Sequence, residues 1–139
     1  MRAAVIVVIA LSAVTSCSLP EMAPLRIVSE APEALAKERS DDLCAAYENL
    51  SNTPRRQAIL EELQKRHVLR DEYMSQINSK KVAIRMSPIE TMCAWGLPNK
   101  VNSTISASGS FVQWVYQLGG LSAQYVYFSN DVVSSIQSS

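Results

Sequence analysis

The stretch VAIRMSPIETMCAWGLPNKVN, residues 82–102, decides the fold, because within it the apolar period changes from that of a helix to that of a strand. Ser87 is placed to cap a helix, Pro88 takes the first helical position, and Glu90, three residues after Ser87, completes a capping box. Ile89, Met92 and Cys93 recur at helical spacing and give the helix an apolar side, so Cys93 is expected to face inward. Gly96 suits the C-cap and Pro98 prevents continuation. Val82–Met86, ahead of the helix, reads as a short extended entry.

Downstream of Pro98 the period becomes two. VNSTISAS, FVQWVYQ, QYVYFSN and VVSSIQ are β-rich runs, separated at Gly109-Ser110, Gly119-Gly120 and Asn130-Asp131, which predicts a four-stranded antiparallel meander closed by a tight hairpin. From Val101 to Ser139 the only charged residue is Asp131. The fold class is therefore α+β, short N-terminal helices followed by a helix packed on a four-stranded antiparallel β-meander.

Upstream, residues 40–80 are helical in pattern. Ser40 can cap, Asp41 and Asp42 suit the positive end of a helix dipole, and Leu43, Cys44, Tyr47 and Leu50 recur every three to four residues, turning Cys44 inward. Thr53 and Pro54 start a second helix running to about Arg66, its buried side formed by Ala58, Ile59 and Leu63 with Leu60 and His67 more loosely placed. A third, short helix spans about Asp71 to Ser79 and offers Tyr73, Met74 and Ile77. The adjacent carboxylates Glu61-Glu62 and Asp71-Glu72 cannot face each other on a helix and read as a solvated side, not an acid/base pair. His67 is the single histidine; with no ligand set near it, it reads as a helix-end residue. No Ser/His/Asp or Cys/His arrangement is present, so neither an enzyme nor a cofactor or metal is expected.

The N-terminus gives an address. MRAAVIVVIALSAVTS, residues 1–16, has one basic residue, an uncharged apolar run from Ala3 to Val14 and small residues before Cys17, the anatomy of a signal peptide. The run is too short for a hydrocarbon core about 30 Å thick, which takes about 20 helical residues. Val14-Thr15-Ser16-Cys17 resembles the bacterial lipobox, which implies acylation (palmitate) of Cys17; the competing reading is an ordinary signal with a cysteine near its cleavage site. Export makes the two remaining cysteines, Cys44 and Cys93, the expected disulfide, against two buried free thiols. Residues 17–39, with Pro20, Pro24 and Pro32, read as a lipidated N-terminus and extended tether, within which residues 32–38 can form a short helix. Residues 40–139 then make one α+β domain, its boundary between helical part and sheet part at 80/81. Thirteen basic residues balance thirteen acidic ones, so nothing points to nucleic acid.

Ile84–Ser87, Trp95–Pro98, Gln113–Tyr116, Tyr125–Asn130 and Val133–Gln137 together resemble the small bacterial lipoprotein domain of the SmpA/OmlA (BamE-like) type, whose helix-and-sheet arrangement recurs in the β-lactamase-inhibitor-like superfamily. The resemblance covers residues 82–137. It departs at Arg85, where the family commonly has glycine, and at Asp131, where the final hairpin commonly has Asn-Gly. It implies a non-enzymatic accessory subunit of envelope assembly, in that family the outer-membrane β-barrel insertion machine.

These readings lead to an outer-membrane, lipid-anchored interaction or scaffolding module facing the periplasm, with a membrane contact through Cys17 and an envelope protein as partner. Ser18, in place of an aspartate after Cys17, favours the outer membrane. A sheet edge or the aromatic cluster Trp114, Tyr116, Tyr125 and Tyr127 would supply the contact surface, unless those aromatics pack under the helices. The alternatives are a protein inhibitor of a periplasmic or secreted hydrolase, suggested by the superfamily, and a cell-wall glycan binder, suggested by tyrosines among neutral hydroxyls. In a eukaryotic context Asn49 and Asn102 would instead be glycosylation acceptors.

Overall fold

The structure, a computed structural model, describes Ile27, residues 31–51 and residues 53–139. Residues 1–16 and Cys17 lie outside the described residues. Among the described residues the chain runs through α1 (Ser40–Asn49), α2 (Pro54–Lys65), α3 (Met74–Asn78) and α4 (Pro88–Trp95), then β1 (Lys100–Ser106), β2 (Gly109–Gly119), β3 (Ser122–Ser129) and β4 (Val132–Ser138). The strands form one antiparallel sheet in the order β1-β2-β3-β4, the expected meander.

Two of the helices, α2 and α4, start at side-chain caps; α1 and α3 do not. Ser87 Oγ accepts from the Glu90 amide while the Glu90 carboxylate accepts from the Ser87 amide, so the capping box of α4 is closed. Thr53 caps α2 through the Arg56 amide, 3.2 Å away. In α1, Ser40 is the first helical residue and Arg39 stands at the N-cap without a side-chain cap bond; the Arg39 guanidinium binds Asp41 in the first turn instead. The third helix opens as a 3-10 turn over Asp71–Tyr73 before α3. The segment before α4 is a turn and not a strand, yet Arg85 and Met86 exchange backbone hydrogen bonds with Val133 at 2.8 and 2.9 Å, fastening this entry to the start of β4.

A single hydrophobic cluster joins helices and sheet. Leu43, Cys44, Ala46 and Tyr47 of α1, Ile59 and Leu63 of α2, Ile77 of α3 and Met92, Cys93 and Ala94 of α4 meet Trp114, Tyr116, Val126, Phe128 and Val133 of the sheet. His67 is not part of it: it is exposed and ends α2 with φ 55°. Cys44 and Cys93 form a disulfide between α1 and α4, both residues buried. The helical layer meets the sheet edge-on at Trp95 and Tyr116, whose rings lie 5.4 Å apart at 83°, and Tyr116 OH donates to Gly96 O at 3.1 Å.

The expected tether is corrected at its C-terminal end. Ile27 is fully buried and Leu35 is 2 % exposed, a 3-10 helix covers Pro32–Lys37, and the Arg55 guanidinium donates to the Ile27 carbonyl. Arg66 in turn donates to the carbonyls of Leu35 and Glu38. Two apolar residues spaced widely in a proline-rich stretch carry no helical period. Burying them removes apolar area from water at roughly 25 cal/mol per Å², which outweighs the preference of their neighbours for solvent.

Candidate functional site

Alternation along the strands sorts the sheet into two chemically different faces. Val112, Trp114 and Tyr116 of β2 and Val126 and Phe128 of β3 point to the helices, and the register pairs Trp114 with Val126 and Val112 with Phe128. Trp114 packs against Phe128 with centroids 4.7 Å apart and the rings tilted by 56°, and lies edge-on to Tyr116. Trp114 and Tyr116 are 7 % and 6 % exposed. This corrects the expectation that they belong to a contact surface: both rings lie in the core shared by helices and sheet, Tyr116 against Trp95 of α4 and Trp114 against Tyr116 and Phe128. Tyr125 and Tyr127, one residue out of phase, are half-buried on the opposite face.

That opposite face carries Asn102 and Thr104 of β1, Phe111, Gln113 and Val115 of β2, Tyr125 and Tyr127 of β3, and Ser135 and Gln137 of β4, aligned by the strand register. Asn102 Nδ2 donates to Gln113 Oε1 at 2.8 Å, Gln113 Nε2 donates to Tyr127 OH at 3.0 Å, and Tyr127 OH donates to Gln137 Oε1 at 3.2 Å. One side chain from every strand thus joins a row with all its donors pointing from β1 towards β4. An open groove of about 470 Å³ lies along it, lined among others by Asn102, Thr104, Phe111, Gln113, Tyr127 and Ser135. Three of the four members were missed in the sequence. The signal was there in the alternation, which puts Asn102 and Gln113 on one face with Tyr127, but it needs the register to become a row. A bulge after Tyr127 places Ser135 opposite it and Gln137 on the diagonal, still within reach.

The edges differ as well. β1 is exposed at all seven positions, and Lys100 at its start is its one charge. β4 is fastened at Val133 by Arg85 and Met86. On the helix-facing side of β1, Val101 and Ile105 are 53 % and 85 % exposed, because the helices stop short of this strand.

A second cleft, of about 650 Å³, lies among Gln64, His67, Leu69, Arg70, Asp71 and Glu72. Its one strong cation, Arg70, is committed to Glu90 at 2.6 Å and to the Arg85 carbonyl at 2.7 Å. Among the described residues no group of three or more His, Cys, Asp and Glu side chains is placed to hold a metal ion, and no helix is long and apolar enough to cross a membrane. No protein-family model matches the chain, and no curated protein and no solved structure is found similar to it.

Proposed function

We propose that the protein is a non-enzymatic cell-envelope lipoprotein, anchored to the outer membrane through acylated Cys17 and holding its α+β domain in the periplasm as a docking module for an envelope protein. The observation that carries the reading is the bare β1 edge, exposed throughout its seven residues. A row of unpaired backbone groups is a template for an incoming strand, and folds that avoid such pairing usually blunt the edge with charge, proline or a covering segment; among the described residues β1 has no such cover, no proline and, beyond Lys100 at its start, no charge. The opposite edge has such a cover at Arg85-Met86. An extended segment of the partner, added beside β1, would also cover Val101 and Ile105.

Anchoring is supported by the signal anatomy and by Cys17 at the end of it; a triacylated cysteine exceeds the two-chain requirement for stable attachment at about 0.8 kcal/mol per buried methylene. The likeness to SmpA/OmlA domains supports an accessory role in an envelope assembly.

The test is photo-crosslinking in native membranes from a reactive residue at position 105, with position 61 on α2 as the comparison, in the wild type and in Cys17→Ser. The expected result is membrane-bound wild type carrying an acyl mass on Cys17, released by Cys17→Ser, with a protein adduct from position 105. Soluble wild type without that mass would overturn the anchor. Adducts from position 61 alone would overturn the edge as the docking site.

A further inference from the structure

We infer that the outer face of the sheet is a saccharide-binding surface, built around the row Asn102–Gln113–Tyr127–Gln137 and specific for a neutral, N-acetylated oligosaccharide. This inference is independent of the membrane anchor and uses a different surface from the β1 edge.

As a set of cross-strand pairs the row adds modestly to the sheet, which leaves its continuity across all four strands unexplained. It lies on the side of the sheet away from the helices, with its first and last hydrogen bonds solvent-exposed. Water competes for such bonds, while aligning four side chains across four strands costs rotamer entropy. What the row provides is preorganisation: its donors and acceptors are fixed before a ligand arrives, which removes an ordering cost from binding. The donors all run one way, so each bond polarises the next. The chain of bonds ends with open valences at both sides. Asn102 Oδ1 has no hydrogen-bond partner among the described residues, and the same is true of the Gln137 amide nitrogen. The row therefore offers an acceptor at β1, donors at β4, and the remaining N–H of Gln113 between them.

The ligand class follows from what this face offers and what it lacks. The four members of the row are neutral; Lys100 opens β1 on the same face, opposite Val115 and off the row, and Asp131 lies in a turn, so on the row itself a phosphate or carboxylate group would find no counter-charge. A sugar hydroxyl donates and accepts at once, which matches a row presenting both. An acetamido group is a planar amide with one donor and one acceptor, the complement of a side-chain carboxamide. Its methyl, or the apolar face of a pyranose ring, finds Phe111, which is 42 % exposed beside Thr104 on the same face and lines the same groove. With neighbouring strands about 4.8 Å apart, the row extends about 14 Å, the reach of a short oligosaccharide and not of a monosaccharide. Thr104 and Ser135 add hydroxyls along the groove.

The experiment uses the full chain carrying Cys17→Ser, titrated calorimetrically with the tetramer of N-acetylglucosamine and with maltotetraose, which lacks acetamido groups. Saturable binding of the first, weakened about tenfold by Gln113→Leu or by Phe111→Ala, is expected; tenfold is the scale of one hydrogen bond or one modest apolar contact. Leu121→Ser, at a fully exposed residue outside the row, should leave the affinity unchanged. Circular dichroism of each variant separates lost binding from lost folding. Absence of saturable binding to either sugar by the folded Cys17→Ser chain would overturn the surface. Equal binding of both tetramers would overturn the acetamido specificity, and unchanged affinity in both Gln113→Leu and Phe111→Ala would overturn the location. None of these outcomes bears on whether Cys17 is acylated or β1 takes a partner strand.

Discussion

The Arg70 guanidinium closes on the carboxylate of Glu90 with two bonds, Nε to Oε1 at 2.9 Å and a terminal nitrogen to Oε2 at 2.6 Å, and Glu90 is fully buried. The same carboxylate accepts the backbone amides of Arg70 and Ser87. One capping residue thereby holds the loop after α2 against the start of α4.

Glu90→Gln is expected to destabilise the fold by about 2 kcal/mol, because two backbone donors and Arg70 lose a charged acceptor in a buried place. Burial favours the neutral acid, but Arg70 and the amide donors together outweigh it and hold the carboxyl below its ordinary value of 4.5. A depressed folded value means stability present above pH 4.5 and lost as pH falls below it towards the folded value. Urea titrations of wild type and Glu90→Gln between pH 7 and pH 3 should converge as the pH falls. A variant gap that stays constant over that range would show that ionised Glu90 is not the source.

The disulfide joins residues separated by 49 positions in sequence. In the chain-entropy account, opening a loop of that length costs about 4 kcal/mol. The double substitution Cys44→Ala with Cys93→Ala should therefore lower the urea midpoint strongly, and the wild type with reductant should approach it. Little change on reduction of the unfolded-and-refolded wild type would show that the helix contacts between α1 and α4 hold the layer alone.

Tyr116 gives the alkaline counterpart. Burial, reinforced by the negative charge of Glu48, pushes its phenol far above the ordinary value of 10.0. Folding therefore favours the protonated phenol, and this contribution is complete below pH 10 and declines as pH rises above it. Tyr116→Phe should cost about 1 kcal/mol near neutrality through the lost bond to Gly96 O. Spectrophotometric titration should show two late-ionising phenols in the wild type, Tyr116 and the buried Tyr47, whose value burial also raises, and one fewer in the variant. If all phenols of the folded wild type titrate freely near pH 10, Tyr116 is not enclosed.

The elements that were legible in the sequence are those whose residues speak for themselves locally. Ser87, Pro88 and Glu90 announce α4, and alternation announces the meander, because capping and pleat act over a few residues. What was not legible depends on contacts distant in sequence. Glu90 reads as a capping residue from its spacing, but its burial under Arg70 depends on a loop twenty residues upstream. Ile27 and Leu35 read as tether because no period surrounds them. Tyr127 and Trp114 look alike in the strand pattern. The helices decide which face is dry, so Trp114 goes into the core and Tyr127 into the outer row.

The last hairpin offers a test of backbone chemistry alone. Asn130 and Asp131, between β3 and β4, have φ of 50° and 62°, the paired positive values that the tightest hairpin turn requires. Asparagine tolerates this conformation, aspartate less well, and glycine without a steric cost. Asp131→Gly removes that cost but gives up unfolded-chain restriction, so the net gain should be roughly 0.5 kcal/mol, a rise in melting temperature of about 2–4 °C. Gly109→Ala should act in the opposite direction. Gly109 holds φ 135°, and a Cβ there would stand 2.6 Å from Asn130 Oδ1, the oxygen that accepts the Ser110 amide. Relief requires turning the Asn130 side chain away, which gives up its bond to the Ser110 amide and adds to the strain of a side chain at φ 135°, so a loss of about 2 kcal/mol is expected. Thermal melts followed by circular dichroism on both variants decide the matter. A lower melting temperature for Asp131→Gly, or an unaffected one for Gly109→Ala, would show that Asn130 and Asp131 do not hold the turn in this form.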